Sequence, residues 1–215
     1  MSEQYVAALD VGSSRDPSVL CLRQGNVITE FVKFTDPDVL RTASLVDQAL
    51  RARGFRPRPT SAAVPWDVPS DMVGGPSGWD DGLGESSQLK ALVCDVVGLG
   101  DGPARWLAAQ GWPVYRFHSS GKPRDKKKFL NARAECHWRL REALERGSLQ
   151  IVRNEALAEE LLACQWGTDQ ADRIFIERKL GLKKRLGRSP DFLDSASMTY
   201  ATERRCSGGG TMLSF

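Results

Sequence analysis

Four aspartates occupy positions at which chemistry at the end of a β-sheet could occur. Asp10 ends the apolar run YVAAL, Asp95 ends LKALVC, and Asp191 and Asp194 lie three residues apart in RSPDFLDSAS. The two apolar runs predict buried strands, and the third stretch predicts the start of a late helix. Sites in open α/β sheets form at the carboxyl ends of strands, so neighbouring strands would bring Asp10 and Asp95 together. A helix packed across the strand ends could add Asp194.

Such a cluster of carboxylates favours metal chemistry. Three adjacent carboxylates repel each other and become protonated unless a cation joins them. Two divalent ions about 4 Å apart would remove the repulsion, activate a water and stabilise the leaving oxygen of a phosphodiester. With two histidines and five cysteines that form no CxxC pair, we expect carboxylate oxygens to bind Mg²⁺ or Mn²⁺. Asp191 lies about 60° from Asp194 around the helix, so both side chains could face the site.

Each aspartate also has a structural interpretation that the sequence leaves open. Asp10 and Asp95 could each end a strand in a turn, and Asp191 and Asp194 would gain from the helix dipole alone. Ser189 as N-cap, with Pro190 at the first helical position, forms a complete helix-start signal that needs no function.

The remaining pattern predicts a mixed α/β sheet layered with helices. The segment from 89 to 118 has a strand-helix-strand order, which favours parallel pairing. Two hairpins are predicted, one over 18–24 and 27–34 and a basic one over 173–179 and 182–186 around Gly181. The predicted helices span 38–53, 129–147 and 154–165, and a last helix runs from 189 to about 204. A loop-rich insertion over 54–88 and a flexible tail over 206–215 complete the chain.

The stretch VGLGDGP (97–103) follows a strand and opens a helix, as a dinucleotide fingerprint would. The GxGxxG pattern fails because Pro103 takes the place of its last glycine, which argues against a nucleotide-binding protein.

Positive charge is concentrated in the second half of the chain. Residues 101–215 carry 21 of the 30 Lys and Arg but only 14 of the 27 Asp and Glu. Segregated positive charge is typical of a face that binds polyanions, although charge runs are as often solvated surface. The chain has no apolar run of 18 residues, so we expect no membrane partner.

Four segments together resemble the nuclease domain of tailed-bacteriophage large terminase subunits. They are LDVGSSRDPSVLCLR, LVCDVVGLGDGPARWL, KKFLNARAECHWRL and LGRSPDFLDSASM. The resemblance covers nearly all of the chain outside 54–88 and the tail, and it implies an RNase H-like fold for residues 1–205. It further implies that the family's N-terminal ATPase motor domain is absent from these 215 residues.

The resemblance implies a metal-dependent endonuclease that cuts concatemeric double-stranded viral DNA with two Mg²⁺ or Mn²⁺ ions and leaves a 3′-hydroxyl. It assigns catalysis and metal binding to Asp10, Asp95 and Asp194, further metal support to Asp191, and an auxiliary role to Asp16. The implied location is the host cytoplasm, and the implied partners of the full-length protein are its motor domain, the small terminase subunit and the portal. The basic residues expected to bind DNA phosphates are Lys122, Arg124, Lys126, Lys127, Lys128, Arg133, Lys183, Lys184, Arg185 and Arg188.

Two other interpretations stay open. An RNase H-like Holliday-junction resolvase would cut four-way junctions selectively and form a stable dimer. A non-catalytic DNA-binding module would need the basic residues but not the aspartates.

Overall fold

A computed structural model of the chain describes residues 4–13, 16–58 and 89–203. Within these ranges six strands form one mixed sheet in the order β5-β4-β1-β2-β3-β6, and β7 and β8 form a separate hairpin. The elements are β1 (Tyr5–Asp10), β2 (Ser18–Gln24), β3 (Val27–Phe34), α1 (Val39–Ala52), β4 (Leu89–Asp95), α2 (Asp101–Ala109), β5 (Val114–Phe117), α3 (Ala132–Glu145), β6 (Gln150–Ile151), α4 (Glu155–Ala163), β7 (Trp166–Thr168), β8 (Ile174–Ile176), α5 (Lys179–Leu186) and α6 (Asp191–Met198).

The sheet confirms the predicted fold class and the parallel pairing predicted for the strand-helix-strand segment from 89 to 118. β1 pairs in parallel with β4, and β4 pairs in parallel with β5 across α2. β2 and β3 form the predicted hairpin around Gly25, whose φ of 52° is readily adopted by glycine. The carboxyl ends of β1 and β4 therefore lie at the same edge of the sheet.

Alternate residues of the central strand face two different layers. Ala7 and Leu9 of β1 pack in one core with α1 and α2, whereas Val6 and Ala8 pack in another with α3 and α6. This alternation is the two-residue period of a strand. Asp10 continues the series of Val6 and Ala8, so its side chain projects toward the layer that contains α3 and α6.

Local sequence signals account for several helix starts. Asp38 caps α1 by accepting hydrogen bonds from the backbone nitrogens of Leu40 and Arg41, and Asn131 and Asn154 cap α3 and α4 in the same way. No helix within the three described ranges is long and apolar enough to cross a membrane.

The predicted basic hairpin over 173–179 and 182–186 is wrong. β8 pairs instead with β7, which precedes it, and the residues around Gly181 form α5. A glycine inside a helix costs about 1 kcal/mol relative to alanine. Leu182, beside that glycine, is fully buried in the core that also contains Leu193 of α6. Tertiary packing therefore outweighs the break that Gly181 indicates, and Gly187, with a φ of 71°, ends the helix.

Two other expectations fall partly or wholly outside the described residues. Most of the predicted insertion over 54–88 and all of the predicted tail over 206–215 belong to residues that the structure does not describe. The last helix ends at Met198 rather than near 204, and hydrogen-bonded turns follow it.

Candidate functional site

The candidate site lies at the carboxyl ends of β1 and β4. The parallel register pairs Leu9 with Cys94, so the next residues, Asp10 and Asp95, lie on adjacent strand ends. Asp10 is buried, and Asp95 is half-buried at the edge of the same cluster. The sheet thus brings together the two aspartates that the sequence places at strand ends.

Helix α6 packs on β1 and β2 and adds two buried carboxylates, Asp191 and Asp194. The predicted N-cap role of Ser189 is wrong, because its hydroxyl donates to Oδ1 of Asp191. The first turn of α6 is capped instead by Glu160 of α4, whose Oε2 accepts the backbone N–H of Leu193 at 2.7 Å. Pro190 flanks the helix rather than occupying its first position. A carboxylate from another helix therefore fixes the start of α6.

The side chain of Lys179, the first residue of α5, reaches into the aspartate cluster. Its Nζ lies 2.8 Å from Oδ2 of Asp10, 3.2 Å from Oδ1 of Asp191 and 3.1 Å from Oδ2 of Asp194. Three carboxylates from β1 and α6 thus converge on a single positive charge. Lys179 is not among the predicted site residues, because no local pattern marks a lysine that lies 169 positions from Asp10 in the sequence.

Burial and mutual repulsion control the ionisation of the cluster. The pKa of Asp10 is raised to about 7, chiefly by burial, with the charge of Lys179 opposing the shift and the charges of Asp194 and Asp191 adding to it. Burial also acts on Asp194, but the charges of Arg133 and Lys179 and a hydrogen bond from His137 hold its pKa well below the ordinary value. Burial lowers the pKa of Lys179, and the three carboxylates more than reverse this effect. Asp194 is therefore ionised at neutral pH.

Asp95 has its own hydrogen-bond partners at the neighbouring strand end. Its Oδ1 accepts the backbone N–H of Val97 at 3.0 Å. Burial raises the pKa of Asp95, hydrogen bonds from Val97 and Ser119 oppose that shift, and the charge of Asp194 adds to it. Asp95 is thus electrostatically coupled to the cluster around Lys179.

The donor set has the chemistry of a hard-cation site, because buried carboxylate oxygens are the preferred ligands of Mg²⁺ and Mn²⁺. The three carboxylates surround Lys179 at 2.8 to 3.2 Å. These are hydrogen-bonding distances, longer than the roughly 2.1 Å of Mg²⁺ coordination. Within residues 4–13, 16–58 and 89–203, no group of three His, Cys, Asp or Glu side chains is arranged to hold a metal ion. The donor chemistry suits a divalent cation, and in this structure the ammonium of Lys179 occupies the point at which the three carboxylates meet.

The predicted phosphate-binding residues differ in their surroundings. The first patch, Lys122, Arg124, Lys126, Lys127 and Lys128, is exposed on the loop before α3. Two of its members have partners, since Lys128 pairs with Glu142 and Arg124 donates to the backbone oxygen of Ala201.

The second patch lies on and after α5, and most of its charge is paired within the protein. Lys183 pairs with the predicted auxiliary acid Asp16 at 2.5 Å, and Arg185 pairs with Glu177. Arg188 pairs with Glu160 and Glu159, while Lys184 is exposed.

Arg133 lies inside the site, contrary to its expected place on a phosphate-binding surface. It contacts Oδ1 of Asp194, as does His137, a buried residue that the sequence analysis did not assign to the site. Their four-residue spacing on α3 is the signal that could have grouped them, because it places both on one helix face. Arg141, four residues further along α3, instead stacks on Trp138 and Trp166.

The fold is similar to that of solved viral nuclease domains. The chain aligns with the nuclease domain of the large terminase subunit gp2 of bacterial virus Sf6 over 92% of its own length and 88% of the other chain, with a TM-score of 0.69 and 17% identity. This chain has the fold of a large terminase nuclease domain.

A second terminase nuclease extends the comparison. The large terminase nuclease from thermophilic phage G20c, solved with bound magnesium, aligns over 94% of this chain and 82% of the other with a TM-score of 0.58 and 12% identity. A variant of the Sf6 nuclease domain was solved with manganese. No protein-family model and no curated protein matches the sequence. With fewer than one residue in five identical, the likeness to the terminase nucleases is one of fold.

Proposed function

We propose that this chain is a divalent-metal-dependent DNA endonuclease that acts in viral DNA packaging and cuts concatemeric double-stranded DNA in the host cytoplasm. The observation that carries the proposal is the convergence of Asp10, Asp191 and Asp194 on one cationic point at the end of β1. The terminase nuclease fold and the metal ions in the Sf6 and G20c structures support it. In the full-length protein, the motor domain, the small terminase subunit and the portal would be its partners.

The proposed roles follow from the contacts of each carboxylate. Asp10, Asp95 and Asp194 would hold two Mg²⁺ or Mn²⁺ ions, with Asp191 in support. Asp16, which pairs with Lys183 one turn after Lys179 on α5, would have an auxiliary role. When bound, the two ions would activate a water for in-line attack on the phosphorus and stabilise the leaving 3′-oxygen.

The protein's own residues prepare this chemistry. Lys179 reduces the repulsion between the buried carboxylates before metal binds and helps to keep Asp194 ionised. The exposed lysines at 122, 126 and 127 would contact DNA phosphates. Because phosphate contacts carry no base code, we expect weak sequence preference in cutting.

The test is cleavage of supercoiled plasmid by the purified chain with Mg²⁺ or Mn²⁺, compared with EDTA. We expect metal-dependent nicking and linearisation that the isosteric variant Asp95→Asn loses. Asp47→Asn is the control, because Asp47 lies on α1, where it pairs with Arg51 and accepts the indole N–H of Trp112, a residue that precedes the amino end of β5. Activity should survive in this control.

The same assay distinguishes the alternatives. Binding of DNA without any cutting by either ion would contradict the nuclease proposal and favour a non-catalytic binding module. Strong preference for a four-way junction over linear duplex would favour a resolvase. Fluorescence anisotropy with labelled duplex in EDTA measures binding independently of cleavage.

A further inference from the structure

The two carboxylate oxygens of Asp194 have different partners. Oδ1 lies 3.2 Å from Nε and 3.1 Å from Nη2 of Arg133, and 3.0 Å from Nε2 of His137. Oδ2 lies 3.1 Å from Nζ of Lys179. A carboxylate oxygen offers about two lone pairs, so three donors fill the accepting capacity of Oδ1. Oδ2 is the oxygen directed toward the point that Asp10 and Asp191 share.

The two residues that donate to Oδ1, Arg133 and His137, are both held firmly. The side chain of His137 is only 4% exposed, and its Nε2 must carry the hydrogen because an ionised carboxylate can only accept. The third nitrogen of Arg133, Nη1, donates to the backbone oxygen of Glu177 at 2.8 Å. Arg133 therefore joins α3 to the segment that leads into Lys179, and it cannot turn outward without breaking that link.

We propose that Arg133 and His137 are positioning residues that occupy Oδ1 of Asp194 and thereby make Oδ2 its one metal-binding oxygen. This inference rests on the proposed function, because it concerns how the same carboxylate meets a divalent ion. It replaces the sequence-based expectation that Arg133 contacts DNA phosphate. Partners of this kind orient metal ligands, and their loss typically lowers metal affinity about 10- to 100-fold.

The test is Mn²⁺ affinity by isothermal titration calorimetry on the full chain without DNA. We expect His137→Ala and Arg133→Lys to weaken binding by about 10- to 100-fold. Lysine at 133 keeps the positive charge that repels a metal ion but loses the two-pronged guanidinium contact with Oδ1. Weaker Mn²⁺ binding by this variant therefore reports the loss of positioning and not a change of charge. His137→Gln, whose amide can still donate to Oδ1, should recover most of the affinity.

The matched control is Arg139→Lys on the same helix. The side chains of Arg133 and Arg139 are both 17% exposed, but Arg139 bonds Glu135 and the backbone oxygen of Glu203. Its Mn²⁺ affinity should equal that of the wild type. Near-ultraviolet circular dichroism in EDTA checks that each variant is folded, and Arg133→Lys and His137→Gln provide the test if His137→Ala is not.

Two results would overturn the inference while leaving the proposed function standing. Folded variants with wild-type or tighter Mn²⁺ affinity would show that Oδ1 needs no such partners. A loss of duplex affinity in EDTA for Arg133→Lys, with Mn²⁺ binding unchanged, would indicate that Arg133 contacts DNA phosphate. A wild-type chain that binds no Mn²⁺ would instead refute the proposed function, and the inference with it.

Discussion

At the residue scale, Lys179 places one positive charge among carboxylates that would otherwise repel each other. Its ammonium is within 3.2 Å of oxygens from Asp10, Asp191 and Asp194. A divalent cation would compete for the same oxygens, so Lys179 and the metal are alternative counter-ions. We therefore expect the lysine to stabilise the metal-free protein and to lower its apparent affinity for a divalent cation.

We predict that Lys179→Ala increases Mn²⁺ affinity at least tenfold and lowers the thermal stability of the metal-free protein. The first effect follows from removing the competing cation, and the second from leaving the buried carboxylates without a counter-ion. Calorimetric titration and thermal unfolding with and without Mn²⁺ measure both effects, and added Mn²⁺ should restore the melting temperature.

Lys90→Ala is the control for this prediction, because Lys90 is an exposed lysine on β4. Lys90→Ala should change neither the Mn²⁺ affinity nor the thermal stability of the metal-free protein. Equal Mn²⁺ affinity in Lys179→Ala and the wild type would show that the ammonium does not compete with metal.

Glu160 is a second buried carboxylate with a distinctive ionisation. Burial raises its pKa from the ordinary 4.5 to about 7, against hydrogen bonds from Leu193 and Arg188. The folded state therefore binds this proton more tightly than the unfolded state does. The stability that results is fully present below pH 4.5 and is lost as the pH rises through about 7.

We predict that the free energy of unfolding of the wild type, relative to Glu160→Gln, falls between pH 4.5 and pH 8. The fall should be at most about 3.5 kcal/mol, since each pKa unit corresponds to about 1.4 kcal/mol. Urea denaturation of both proteins across this range measures the difference, and a difference independent of pH would refute the assignment.

At the element scale, the start of α6 depends on α4 rather than on the Ser-Pro signal that precedes it. Glu160 accepts the N–H of Leu193 and the guanidinium of Arg188, so one carboxylate ties three segments together. The aspartates of α6 are thereby held at the end of β1. A cap from another element leaves no local sequence pattern, whereas Ser189 and Pro190 match the local pattern of an N-cap followed by a first helical residue.

We predict that Glu160→Ala destabilises the protein by about 2 to 4 kcal/mol, because it leaves a buried N–H and a guanidinium without their acceptor. Glu159→Ala is the matched control, since Glu159 is adjacent and pairs with the same arginine but has a side chain 67% exposed, whereas that of Glu160 is 0% exposed. The loss of unfolding free energy in Glu159→Ala should stay below about 1 kcal/mol. Chemical denaturation compares the two, and equal losses would argue against the cap.

At the scale of the whole molecule, the two predicted DNA-binding patches differ in available charge. The loop before α3 exposes its lysines, whereas the residues on and after α5 pair with Asp16, Glu177 and Glu160. Charges already paired within the protein contribute less to an outward field. The loop patch is therefore the stronger candidate for phosphate contact.

We predict that the triple variant Lys122→Ala, Lys126→Ala and Lys127→Ala reduces the slope of log affinity for duplex DNA against log salt by about 2 to 3. Each lost phosphate contact removes about 0.9 from that slope. Anisotropy titrations in EDTA at several salt concentrations measure it. A control triple at the exposed residues Lys33, Arg41 and Lys90 should leave the slope unchanged, and equal slopes in both triples would contradict the assignment.

The sequence by itself determined the fold class, the parallel pairing of β4 with β5 across α2, and the aspartates at the ends of β1 and β4, because strand period, chain order and strand polarity are local or topological properties. Only the tertiary structure decided the helical state of α5, the cap of α6 and the place of Lys179, Arg133 and His137 in the site. These features depend on burial and charge pairing between residues far apart in sequence. Their energies arise only when the chain is packed, so local patterns do not fix them. The four-residue spacing of Arg133 and His137 indicates a shared helix face but not the carboxylate that this face contacts.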